Sequence, residues 1–529
     1  MAQTFNVNLQ DEFLIGMDDK YNGSDLPPGL FNLIQNGLVN TNNISKRTGT
    51  TGSNVVVASG VQLGGSAFEP SNGSKFQVVC LNGASNAQLY ISSDGTTFSA
   101  IGSANLTNNA QMNFVQASDR LFGFNGTEVV DVANDGTTVT KNRSGVPIGK
   151  FGYWFHNFLF VAGVAGTSIN NVYWSNLGDP TTFTGANFIA INANDGDYIT
   201  GLSSFSAAPS TGNDFLIVAK LNSFWTIGGW SGTTFSANTI AGQNTSFINN
   251  GYGTPSHRCM IAVGKYFYYL SFIGGIPHIR ALQKTIYGSI LDSGIVSYDM
   301  EGTMSALNNT KLMNACAVSD GKFVYFSFPS SASQVNDITL VYYPELTKQT
   351  PLGEMHSWVK WTGFTPNTFL ISTISGQAKI YFTDGGTTGK VFHFDPSVYT
   401  DNGTAIVLKI QTRDYFGHAS KQAKYLYYYF KYGTGSAGTL TINARIDQAT
   451  NFGLQETLDL SGTSPGLGPS GNFTLGTSKL GGSTITEHRT TLLALTGHLL
   501  GVQLIESTAN ACNIYDMQVY GVQKGYRSS

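Results

Sequence analysis

Apolar and polar positions along this chain alternate in short runs, not in helical repeats. Seven times a run of aromatic and β-branched residues meets a Gly- or Asn-bearing turn and then a second such run. Examples are KFQVVCLNGASNAQLYIS at residues 75–92, RLFGFNGTEVVDV at 120–132 and AKIYFTDGGTTGKVFHFD at 378–395. The others span 157–175, 213–229, 265–282 and 322–344. Two period-two runs closed by a tight turn are the sequence form of a β-hairpin. The hairpins return at intervals of about 40–60 residues, near the length of one four-stranded blade, and a lone hairpin cannot bury its own apolar face. The pattern predicts an all-β fold: a β-propeller of about seven blades.

Flanking segments read differently. Residues 1–54 hold a Pro27-Pro28-Gly29 break, then LFNLIQNGLVN, in which Leu30, Leu33, Ile34 and Leu38 fit one face of a short helix. This region is expected to be an N-terminal arm and docking segment, with the propeller over 55–403. From 404 to 529, six short strand patterns edged by Gly and Ser, among them KYLYYYFKYG and NIYDMQVYGVQ, predict a β-sandwich-like domain. Polar, uncharged GTTFSANTIAGQNTSFINNGYG at 232–253 reads as a long loop.

Composition sharpens this picture. Only 12% of residues are charged and 62 are Gly, which suits a turn-rich β-protein. A net charge of −3 offers no broad basic surface for gripping phosphates, so nucleic acid is expected to pass without specific binding. The four cysteines, Cys80, Cys259, Cys316 and Cys512, are widely spaced, which indicates buried thiols of a reducing compartment. The opening MAQTFNVNLQDEF carries no basic-then-apolar export signal, and no apolar run is long enough to span a bilayer.

Candidate chemistry is sparse. Asp-Gly-Thr-Thr at 94–97 and 135–138, with a near copy at 384–388, predicts hairpin turns that need positive φ. Asp195 and Asp197 form the best acidic pair, but the further oxygen ligands of a calcium loop are missing. The eight histidines show no metal-ligand spacing, and Ser256-His257 lacks a nucleophile-elbow context, so neither catalysis, a metal nor a cofactor is expected. Aromatic strands at Tyr266–Tyr269 and Tyr425–Tyr432 admit two readings: burial on both faces, or an exposed interface or sugar platform.

Several stretches resemble virion proteins of tailed bacteriophages. They are NLIQNGLVNTNNISKRTGT (32–50), FHNFLFVAGVAG with NNVYWSNLGDPTTF (155–183), GYGTPSHRCMIAVGKYFYYLSFIGGI (251–276), QAKYLYYYFKYGTGSAGTLTINARID (422–447) and IYDMQVYGVQKGYR (514–527). The chain is most similar to the tail nozzle, or tail tubular B-type, family of short-tailed phages. That resemblance implies a homohexameric structural ring beneath the portal and adaptor, assembled in the host cytoplasm and resident in the virion tail. Its lumen would conduct genomic DNA, and it would carry a fibre, spike or needle and possess no enzymatic activity. By the resemblance, Lys46 and Arg47 stand where the family's arm ends in a basic residue, with Thr48 where Pro is commoner; otherwise they are a solvated pair in a turn. Interface candidates are Lys46, Arg47, Tyr425, Tyr427 and Tyr429. The alternative function is a glycan- or receptor-binding tail propeller contacting the host surface through exposed tyrosines and the 232–253 loop. A polysaccharide depolymerase is a third.

Overall fold

A computed structural model describes residues 4–8, 15–27, 29–40, 43–58, 60–166, 169–185, 187–193, 195–205, 215–227, 252–284, 290–350, 353–416, 423–433, 438–460, 485–489 and 495–523. The 232–250 part of the long polar loop and the Gly/Ser/Pro stretch at 461–483 lie outside them.

The described residues are nearly all β, with a short helix at Glu301–Ser305, and their centre is a seven-bladed propeller. Each sequence hairpin supplies the second and third strands of one blade. In blade one these are Phe76–Leu81 and Ala87–Ser92, flanked by Gln62–Phe68 inside and Ser99–Leu106 outside. Blades two, three and five repeat that four-strand order from Asn113–Ala117, Phe151–Phe155 and Met260–Val263. Blade four begins at Ile199–Phe205 and shows three described strands. Blade six runs from Cys316–Ser319 to Gly353–Trp361. Blade seven has Pro366–Ser372, Lys379–Asp384 and Val391–Asp395, and takes its outer strand from far upstream: Gly49–Gly52 pairs antiparallel with Val391–Asp395. The innermost strands neighbour one another in sequence order, and Pro366–Ser372 closes against Gln62–Phe68.

Strand alternation explains why the blades stack. Phe158–Ala162 is buried at every position. Leu159 and Val161 enter the apolar cluster shared with blade two, whereas Phe158, Phe160 and Ala162 enter the cluster shared with blade four. Blade four repeats the division, with Leu216 and Val218 facing back and Ile217 and Ala219 facing forward. In blade five Phe267 and Tyr269 pack backward while Tyr268 and Leu270 pack forward. A strand covered on both faces reads as a near-continuous apolar run, and each such side chain contributes about 1.5–3 kcal/mol by leaving water. The Tyr266–Tyr269 run therefore serves packing, with Tyr268 1% and Tyr269 0% exposed.

The helix expected after Pro27 does not form. The segment instead makes strands Leu30–Phe31, Leu33–Gln35 and Gly37–Val39. Asn36, at φ 57°, breaks any helical continuation and turns the chain from one sheet into another. Leu33–Gln35 lies between the last strand of blade six and Leu408–Gln411, extending blade six into a ten-stranded sheet that continues through Leu499–Glu506, Thr439–Ile446 and Gly453–Asp459. Gly37–Val39 pairs with Ile44–Lys46, which joins Asn513–Gln523 and Ala423–Gly433 in the facing C-terminal sheet. Thr4–Asn8 adds to the far part of Asn513–Gln523. Segments of residues 1–54 are thus strands inside both C-terminal sheets and the last blade, and one apolar cluster runs from blade five through blade seven into the C-terminal sheets.

Candidate functional site

The junction of arm, last blade and C-terminal sheets is built on buried charge. Arg47 follows the Ile44–Lys46 strand and has no exposed surface. Its Nε donates to Asn36 Oδ1 at 3.0 Å, Nη1 to Thr48 O at 3.0 Å and Asp401 Oδ1 at 3.1 Å, and Nη2 to Thr362 O at 2.7 Å. A further bond from Nη2 to Asp401 Oδ2 completes a bidentate pair, so all five N–H groups of the guanidinium are used. The guanidinium carbon lies 5.4 Å from the Trp361 ring centre and 5.0 Å from that of Phe364, within cation–π range. Gly363, at φ 105°, is obligatory beside it, because a Cβ there would sit 2.7 Å from Asp401 Oδ2. Immediately before it in sequence, Lys46 places its Nζ 2.6 Å from Glu506 Oε2, and neither side chain is exposed.

These facts correct the solvated-turn reading of Lys46 and Arg47: both side chains are consumed inside the chain. Tyr425 is likewise 0% exposed, with its hydroxyl 3.2 Å from the carbonyls of Tyr415 and His498. Tyr427 and Tyr429 stand opposite Tyr520 and Gln518 on the Ala423–Gly433 strand, and their side chains lie outside the described residues. The site candidates therefore do not gather into one exposed patch among the described side chains.

A second charged centre sits at the ring axis, and sequence reasoning missed it. Arg258 precedes blade five and reaches three other blades. Its Nε donates to Asn113 Oδ1 at 3.1 Å, Nη1 to Asn367 O and Oδ1 at 3.2 and 3.1 Å, and Nη2 to Leu63 O and Met112 O at 3.0 and 2.7 Å. Gly64 permits that crossing, since a Cβ would meet Met112 O at 2.1 Å. With no carboxylate among these partners, burial lowers the guanidinium to about 10. His257 beside it is held neutral: burial, then the Arg258 charge, push its imidazole to about 3, and Nδ1 accepts from Leu202 N at 3.3 Å. The only sequence signal was a lone cation entering the apolar run Cys259–Val263.

The remaining candidates have structural occupations. Asp195 pairs at 2.7 Å with Lys220, whose side chain is unexposed, and Asp197 accepts from Leu221 N at 3.1 Å and Asn222 N at 3.0 Å. Asp94 accepts from Thr96 N and Thr97 N, both at 2.7 Å, and Asp135 from Thr137 N and Thr138 N, both at 2.8 Å, as hairpin-turn residues do. Ser256 Oγ donates to Ala315 O at 2.6 Å, away from any relay through His257. Among the described residues, no group of three or more His, Cys, Asp or Glu is placed to hold a metal ion. The four cysteines are free and buried.

One more cluster, where the arm meets blade six, carries shifted acids. Asp18 and Asp299 are 2% and 7% exposed, and burial, opposed by backbone N–H bonds, raises each to about 6. Asp299 Oδ2 accepts from His356 N at 3.0 Å, and Asp19 N donates to the Asp299 carbonyl at 2.9 Å.

No family model and no curated protein matches the chain. Among solved structures, BamB from Moraxella catarrhalis is similar at 10% identity, covering 68% of this chain and 92% of that one, with a TM-score of 0.34. The extracellular domain of a hybrid two-component system from B. thetaiotaomicron is similar at 11% identity, covering 78% and 47%, with a TM-score of 0.38. A protein from Lactobacillus plantarum is similar at 12% identity, covering 71% and 92%, with a TM-score of 0.35. At this level of likeness they carry no argument about function.

Proposed function

We propose that the chain is a structural subunit of the tail nozzle of a short-tailed bacteriophage, working without chemistry of its own. Its partners on this reading are five further copies, the adaptor and portal ring above, and a fibre, spike or needle below. The observation that supports it most is the ten-stranded sheet joining blade six to the C-terminal domain through an arm strand. A load applied at one end of such a unit meets backbone hydrogen bonds and two buried ion pairs instead of a linker. Arg258 spans the axis of the propeller, so a DNA lumen on this reading lies between copies and not through a single ring. The overall charge of −3 suits a passage that does not hold phosphates.

Native mass spectrometry tests the assembly. Six copies of 56.7 kDa give a particle of about 340 kDa, and a stable 56.7 kDa monomer at micromolar concentration rejects the proposal. Electron microscopy of virions labelled through this chain then locates it: signal at the tail is required, and signal on the capsid shell overturns the reading.

A further inference from the structure

The end of the propeller where the innermost strands begin carries a cleft that none of the roles above uses. It lies between blades one, six and seven, has a volume of about 190 Å³ and is lined by seven carboxamides, Gln62, Asn109, Gln111, Asn314, Gln334, Asn336 and Asn367, with Val61, Leu63, Val335 and Gly385 beside them. No charged and no aromatic side chain lines it. The polar lining is therefore entirely carboxamide, a group that offers a donor and an acceptor together.

Two of those amides are locked in a defined sense. Asn336 is 2% exposed and its Nδ2 donates to Asn314 O and Pro366 O, both at 2.8 Å. Gln62 is 1% exposed and its Nε2 donates to Lys390 O. Neither amide can flip without losing those bonds, so Asn336 Oδ1 and Gln62 Oε1 are committed as acceptors. Both oxygens are buried, and neither meets a donor among the described residues. A buried acceptor without a donor costs about 1–3 kcal/mol, so these two amides are held in place by the bonds of their nitrogens alone.

The chemistry of the occupant follows. Arg258 borders the cleft through Asn367 and Leu63, but its five N–H groups are already taken by carbonyl and amide oxygens, leaving none for an anion. Clefts for drug-sized ligands run to about 300–1,000 Å³, so this one admits a single ring and not an extended chain. The geometry points to a neutral, hydroxyl-rich ligand the size of one sugar residue, held by donors and acceptors from the carboxamides. This inference is independent of the tail reading and uses neither the exposed tyrosines nor the 232–253 loop.

Saturation-transfer NMR on the full chain tests it with glucose, galactose and N-acetylglucosamine at millimolar concentration, beside inorganic phosphate and a short Asn/Gln-rich peptide. Transfer from at least one neutral sugar, with none from phosphate, is expected. Gln111 is half-buried and Gln334 exposed, so Gln111→Ala with Gln334→Ala should leave the thermal midpoint unchanged. Losing two hydrogen bonds should weaken the sugar about tenfold or more. No transfer from any sugar, undiminished binding by the double variant, or binding of phosphate or peptide in place of sugars overturns the assignment.

Discussion

The blades and the clasp, the junction of arm, last blade and C-terminal sheets around Arg47 and Lys46, solve the same problem, holding strands together, in opposite ways. Within a blade the polar work is local: Asp94 and Asp135 each cap backbone groups two and three residues onward. At the clasp, Arg47 and Asp401 are 354 residues apart, and Lys46 and Glu506 are separated by 460. Apart from the buried cations Lys220 and Arg258, blades rest on apolar area, which is graded and tolerant, whereas the clasp rests on buried charges, which are all-or-nothing. Desolvating an ion pair nearly cancels its attraction, so its contribution appears as the penalty for breaking it. The comparison teaches that this ring is robust across its blades and brittle at its seam.

The strongest way to break that contrast is Arg47→Ala, which leaves Asp401 buried without its partner. A loss of about 3–5 kcal/mol is expected, read as a fall in the urea midpoint, with most of it restored in Arg47→Met combined with Asp401→Leu. A single variant as stable as the parent would show that the seam is held by its strands alone.

A pH series sharpens the comparison next. Asp18 and Asp299 hold their protons more tightly folded than unfolded, because burial raises both to about 6. Their contribution is full below about pH 4, the unfolded value, and is lost as pH rises through 6; at most about 2–3 kcal/mol is involved for each, and mutual repulsion prevents simple addition. The Asp18→Asn variant should therefore gain stability relative to the parent as pH climbs from 4 to 7. A stability difference that does not change with pH removes Asp18 from this account.

On the blade side, Asp94→Ala should cost only about 0.5–1.5 kcal/mol, since two exposed-turn hydrogen bonds are exchanged for water. Thermal unfolding measures it, and a loss matching that of Arg47→Ala would erase the distinction between seam and blade. The smallest effect concerns the thiols. Burial pushes Cys80, Cys316 and Cys512 up to about 12, so a thiol reagent at neutral pH should label none of them before unfolding. Prompt labelling of the native chain would mean that the gaps between blades open readily.

The hairpins were legible because all their information is local: two period-two runs and a turn. The innermost strands were not, and packing gives the reason. Gln62–Phe68 reads QLGGSAF and Ile199–Phe205 reads ITGLSSF, with small residues where strands converge on the axis. At Gly201 an added Cβ would sit 2.6 Å from Met260 Cε and 3.0 Å from His257 Cα, so an apolar signal is sterically forbidden there. The arm was misread as a helix because Leu30, Leu33, Ile34 and Leu38 fit a helical spacing by coincidence. Their strand partners lie far downstream, beyond any local pattern. Lys46 and Arg47 stood out as charges in a polar turn, yet nothing nearby announces Asp401 or Glu506. The carboxamide cleft was invisible for the same reason: its seven amides come from segments as far apart as residues 62 and 367.

The strand Gly49–Gly52 emerges early in synthesis but docks on Val391–Asp395, and Thr51 precedes its partner Asp395 by 344 residues. At a translation speed of about 5–20 residues per second, the ribosome needs roughly 20–70 s to deliver the other half. Throughout that interval blade seven does not exist, and the nascent chain waits with a short GTTG edge that offers a stray strand no apolar side chain to hold. Final closure is thereby reserved for a chain translated at least through residue 395, and a prematurely terminated product keeps an open ring that quality-control proteases can recognise.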